Sequence, residues 1–126
     1  MAKQYSFEHL EVYKDARSYV GQVYILTAMF PDKERYALCT QLQGAAVSVV
    51  SNIVEGTSRE SDKEKLRFIE IAYGSLLETF CQFQVAMDLS YITKIQIDEL
   101  QQNYIDKIAN KLCALKRSYI KRSTTK

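Results

Sequence analysis

Apolar residues recur at steps of three and four along almost the whole chain, and only 1 proline and 4 glycines interrupt them. That spacing gathers side chains on one face of an α-helix. A β-rich fold needs turn residues between its strands, and this chain is poorly supplied with them. The expected fold is all-α, with four helices joined by three short breaks. Short connections between long helices set neighbours antiparallel, giving an up-down-up-down four-helix bundle. The bundle domain is expected over residues 1–120, followed by a basic C-terminal tail over 121–126. An extended helical array would need internal repeats, and the chain has none.

Local chemistry suggests where each helix begins and ends. The first is expected over roughly residues 8 to 29, with Leu10, Tyr13, Ala16, Val20, Val23 and Phe30 as its apolar face. Pro31 ends it, because the residue before a proline is pushed out of the helical region. Asp32 then caps a second helix over roughly residues 33 to 55. Leu38, Leu42, Ala45, Val49 and Ile53 line one side of that helix, and Val47, Val50 and Val54 line another. A helix apolar on two faces wants more than one neighbour, and Gly56 is placed to stop it in a left-handed turn. Ser61-Asp-Lys-Glu64 reads as a capping box for the third helix, and Thr93 as the cap of the fourth.

At 126 residues the chain can bury one core unaided. No apolar run approaches the roughly 20 residues a membrane-spanning helix requires. The start, Met1-Ala-Lys-Gln-Tyr-Ser6, lacks the apolar core of a secretory signal, so no membrane association and a cytoplasmic location are expected. Cys39, Cys81 and Cys113 are odd in number and far apart, without a Cys-x-x-Cys pair. They read as small buried hydrophobes rather than metal ligands or a redox couple.

Small and polar residues interrupt the apolar faces. Gly44 and Gly74 sit inside helices, where each costs about 1 kcal/mol relative to alanine. Facing each other across helices two and three, they would allow close backbone approach. Ser48, Asn52 and Glu55 follow one helical line and Glu70, Gly74 and Glu78 another, with Ser75 beside the latter, and Arg67 is a candidate partner of Asn52 and Glu55. Such a polar seam must be hydrogen-bonded to be tolerated inside a bundle. A carboxylate metal site is the functional alternative, but His9, the 1 histidine, lies outside any Glu-x-x-His motif. No metal or other cofactor is therefore expected. Nor can one histidine near the N-terminus serve a serine or cysteine nucleophile, and no Gly-rich phosphate loop is present. The chain is read as a non-enzyme.

Charge is uneven. Lys116, Arg117, Lys121, Arg122 and Lys126 crowd the last residues without an acid, leaving 12 basic against 15 acidic residues in 1–115. The body carries −3 and the end +5. A basic end of this kind attracts phosphate, although a merely solvated end has the same composition. Of the 9 tyrosines, Tyr13, Tyr73 and Tyr104 fall on core stripes, whereas Tyr5, Tyr36 and Tyr119 are less committed.

Several segments together resemble the bacterial four-helix-bundle family of the 23S rRNA intervening-sequence protein. They are Phe7-Glu-His-Leu-Glu-Val-Tyr13, Phe30-Pro-Asp-Lys-Glu-Arg-Tyr36, Gln41-Leu42, Ser48, Asn52-Ile-Val-Glu-Gly56 and Ala72-Tyr-Gly-Ser-Leu-Leu-Glu78. The accessory protein of diversity-generating retroelements is a relative of that family. The resemblance implies an up-down bundle assembled into a ring-shaped homopentamer. In the retroelement relative, basic surfaces bind nucleic acid and a reverse transcriptase. The family often carries two arginines after the Gln-Leu pair, where this chain has Gln43-Gly44 and so lacks basic charge. The basic side chains left to meet RNA or single-stranded DNA are Lys111, Lys116, Arg117, Lys121, Arg122 and Lys126. Two readings follow. One is a ribonucleoprotein accessory module that binds nucleic acid through this segment, with a reverse transcriptase or another protein as partner. The other is an oligomeric protein-interaction scaffold without nucleic-acid affinity.

Overall fold

The structure, a computed structural model, describes residues 2–124 and is all-α. Helix α1 spans Glu11–Thr27, α2 Leu38–Ser58 and α3 Asp62–Asp88. The fourth rod is α4, Lys94–Leu100, continued through a π turn, Gln101–Ile105, into α5, Asp106–Thr124. Around the bundle α1 packs on α2, α2 on α3, α3 on α5, and α5 back on α1. Tyr19, Leu42, Ile53, Leu76, Phe83, Ile108 and Leu112 fill the centre. This is the up-down-up-down four-helix bundle.

Two expected caps form. The Ser61 hydroxyl accepts from the Glu64 N–H at 3.1 Å, while the Glu64 carboxylate turns to Arg67. Thr93 and Gln96 make a full capping box at the start of α4. Other boundaries move. Leu10 is extended, with ψ 127°, so Ser6–His9 is a separate 3-10 turn and α1 starts at Glu11. Asp32 caps nothing; it opens a 3-10 turn, Asp32–Glu34, and α2 begins later, behind Ala37. The phase of α1 also brings Tyr19 into the core, where its stripe is Val12, Ala16, Tyr19, Val23 and Thr27.

The glycines do other work than expected. Gly56 has no left-handed backbone, and α2 runs on to Ser58. A Cβ there would lie 3.3 Å from Phe68 Cβ and 3.4 Å from Ile69 Cδ1, so Gly56 is where α3 closes onto α2. Gly44 and Gly74 do not face each other. Both are exposed, and a Cβ at either would meet nothing within 4 Å. The reason is register: Ser48 pairs with Ser75 and Gln41 with Gln82, which turns both glycines outward.

Two irregularities join the rods. Ser90, with φ 66°, ends α3 in a Schellman arrangement, with Ser90 N–H donating to Met87 O and Tyr91 N–H to Ala86 O, both at 2.9 Å. The π turn handles a five-residue step between Leu100 and Ile105, both buried, before the three- and four-residue steps resume at Ile108 and Leu112. Without that extra residue in the turn, Ile105 would rotate away from the core. Tyr104 instead tilts against Tyr19, ring centroids 5.9 Å apart.

Candidate nucleic-acid interface

The basic candidates lie on α5, which begins with Asp106 and carries no acid beyond it. Their chemistry differs with helical phase. Lys111 faces α1, where its ammonium donates to Asp15 at 2.5 Å and lies 3.3 Å from Glu11. The bond to Asp15, aided by Glu11 and partly opposed by desolvation, raises its pKa above the usual lysine value. Lys116 lies 3.6 Å from Glu70 of α3. Arg122 donates to Asp62 at 2.6 Å, and its guanidinium lies over the Tyr119 ring at 4.8 Å. Asp62 is itself only 8% exposed, at the first turn of α3. Tyr119 is buried beneath this pair, and burial raises its phenol pKa.

Three of the expected contact residues thus already have acidic partners within the bundle. Lys111, Lys116 and Arg122 tie α5 to α1 and α3, because opposite charges one helix away satisfy them. Arg117 and Lys121 are exposed and form no ion pair with a described residue. Lys126 lies outside the described residues. The expected start of a separate tail at residue 121 has no counterpart either, since α5 continues to Thr124 and is anchored through Arg122.

The polar seam divides in the same way. Ser48 Oγ and Ser75 Oγ share a hydrogen bond of 2.9 Å between α2 and α3, and Asn52 Nδ2 donates to Ser48 O and Oγ at 2.8 and 3.0 Å. Glu55 and Arg67 do not join it. Both are exposed, Glu55 pairing with Arg59 at 3.3 Å and Arg67 with Glu64 at 3.4 Å. Local partners one turn away win over a partner on another helix, since they need no further ordering of long side chains. Glu78 enters through Gln82, whose polar side chain on the core side breaks the apolar spacing of α3. Gln82, buried, donates to both Gln41 Oε1 at 3.3 Å and Glu78 Oε1 at 3.4 Å.

Other residues gain roles that apolar spacing could not reveal. Gln43 Nε2 donates to Thr27 Oγ1 at 3.0 Å, and Thr27 in turn donates to Val23 O at 2.8 Å. Cys39 is buried, with its thiol toward Thr27 O at 3.5 Å; burial, with the Glu34 charge nearby, raises its pKa. Cys113 is half-buried and Cys81 is exposed, so the buried reading does not extend to Cys81. Among the described residues, no three His, Cys, Asp or Glu side chains gather where one ion would touch them all. No described helix is long and apolar enough to cross a membrane.

This arrangement sits on a chain whose residues 8–114 match the family described as 23S rRNA-intervening sequence protein. The chain belongs to that family. No curated protein matches it. Among solved structures it is similar to a protein of unknown function from the S23 ribosomal protein family of Bacteroides thetaiotaomicron. The two are 17% identical, the likeness covers 84% of this chain and 95% of that chain, and the TM-score is 0.76. At that identity the likeness speaks to the fold alone. For this 23S rRNA-intervening sequence family member, Arg117 and Lys121 lie beyond the matched residues.

Proposed function

We propose that this protein is a non-enzymatic, oligomeric accessory module that binds RNA or single-stranded DNA weakly through the outer face of α5. The observation that carries this reading is the pair Arg117 and Lys121, exposed one helical turn apart and in no ion pair with a described residue. Lys116 adds a partly exposed charge at 3.6 Å from Glu70, a distance from which an ammonium readily turns to a phosphate. An oligomer, a pentamer by the family resemblance, would present several such faces at once. Linked weak contacts then raise apparent affinity by about 10² or more. Within a ribonucleoprotein the protein partner would be a reverse transcriptase or another RNA-handling enzyme.

A second reading has its own observation. Lys111, Lys116 and Arg122 all pair with acids of the same subunit, as a scaffold without nucleic-acid affinity would have them. The test is filter binding of single-stranded RNA by the wild type and by Arg117→Glu/Lys121→Glu. Both positions are exposed, so the variant should keep its fold. Wild-type affinity should fall steeply between about 50 and 200 mM salt as counterions are released. The variant should lose most of the low-salt binding. Equal affinity for both proteins removes α5 as the contact surface, and no binding by either leaves the scaffold reading.

A further inference from the structure

The segment Phe30-Pro-Asp-Lys-Glu-Arg-Tyr36 is held far more firmly than a linker between two helices requires. Phe30 is 6% exposed and sits in the core, its ring 5.4 Å from Tyr91. The Tyr91 hydroxyl donates to the Glu34 carboxylate at 2.8 Å, and that bond raises the phenol pKa. Arg35 is fixed by its backbone, its N–H donating to Asp32 O at 3.0 Å and its carbonyl accepting from Thr40 Oγ1 at 3.0 Å.

What this rigid turn displays is a large aromatic ring. Tyr36 is 85% exposed, and the Arg35 guanidinium lies 5.5 Å from its ring centroid. Tyr24 of α1, also exposed, lines the same open recess of about 440 Å³. Asp32, Thr40 and Gln43 supply polar groups at its walls. Gln43 is oriented by its bond to Thr27, which uses its amide nitrogen and leaves its carbonyl oxygen to accept from elsewhere.

We propose that the recess bounded by Tyr24, Arg35 and Tyr36 is a stacking site for one unpaired base of a single-stranded nucleic acid. A phenol ring paired with a guanidinium offers a flat, polarisable surface that any base can cover. The carboxylate of Asp32 balances the charge of Arg35, so the recess attracts no phosphate by net charge. It grips the base, and α5 grips the backbone. This assignment rests on the nucleic-acid reading above and adds to it a second, uncharged contact.

The two contacts are separable by experiment. The probes are a labelled polyadenylate RNA of about 12 nucleotides, long enough to cover a binding site of ordinary size, and an abasic strand of the same length and charge. Binding is measured across a salt series for the wild type, Tyr36→Ala and Tyr36→Phe. The wild type should prefer the strand with bases by about tenfold or more, the scale of one lost stack. Tyr36→Ala should remove that preference without changing the salt dependence, and Tyr36→Phe should retain it. With Tyr36 so exposed, neither variant threatens the fold.

A wild type that binds both strands equally, or a Tyr36→Ala protein that binds like the wild type, overturns the recess and leaves the α5 reading standing. No binding by the wild type sinks both. A change in oligomer mass on Tyr36→Ala would mark the recess as a contact between subunits and overturn the proposal. Full displacement of the RNA by micromolar adenosine monophosphate would also overturn it, in favour of a pocket for small nucleotides.

Discussion

Tyr19 is the largest fully buried side chain of the protein, and its hydroxyl must find a partner inside the bundle. Thr79 has one hydroxyl proton, which goes to Leu76 O at 2.6 Å. Tyr19 must therefore donate to Thr79, at 2.9 Å, and the relay from α1 into α3 has a single direction. Tyr19→Phe removes the donor and leaves a lone pair of Thr79 unused, a loss of about 1 kcal/mol. Burial holds the Tyr19 phenol far above its ordinary pKa. The unfolded chain ionises this group near pH 10 while the folded chain keeps its proton, so the raised pKa contributes stability that is lost as pH rises above about 10. Urea melts at pH 8 and pH 10.5 check the sign: the wild type should lose more between the two than Tyr19→Phe does. An equal loss would mean that Tyr19 reaches water. Nothing in the sequence singled out this residue. Its spacing is helical, but the apolar spacing of α1 runs equally well through Tyr13 and Val20, which the structure leaves half-buried.

At the scale of the element, the caps were legible and the lateral partners were not. Ser61 and Thr93 act on amides three residues away, so the sequence contains both partners of each bond. Antiparallel pairing puts Arg67 near the level of Asn52 and Glu55, and only the rotation of α3 sends it to Glu64 instead. Gly44 and Gly74 differ from expectation for the same reason: neither the register of α3 against α2 nor the faces they occupy can be read from spacing. The end of α3 was unreadable because the left-handed position is filled by Ser90, where a glycine would have announced itself. A non-glycine residue held there costs roughly 1 kcal/mol or more. Ser90→Gly should therefore stabilise the protein by about 1 kcal/mol, read as a raised denaturation midpoint at unchanged slope. A lower midpoint would show that the serine side chain contributes more than its backbone costs.

The whole molecule poses a question that one subunit does not answer. From Leu38 to Val54, α2 carries no charged residue, although Thr40, Gly44, Val47 and Ser51 along it are exposed. The first turns of α3, in contrast, set Lys63, Glu64, Arg67 and Glu70 on its outer surface. The uncharged flank of α2 bears Val47, 42% exposed, beside the half-buried Val50 and Val54. An apolar strip bordered by polar residues is what a subunit contact looks like before its partner arrives. Light scattering at micromolar concentration should therefore give a mass several times 14.5 kDa, and five times that value if the family resemblance carries to assembly. Val47→Glu would place a charge in the contact while leaving a surface position that a lone subunit tolerates. It should yield a folded species of one chain's mass, and RNA affinity should fall with it by about 10² if several α5 faces act together. A wild-type mass near 14.5 kDa removes the oligomer and the avidity argument with it. An unchanged mass for Val47→Glu would move the contact elsewhere, to the face of α3 where Ile71 and Val85 are also exposed.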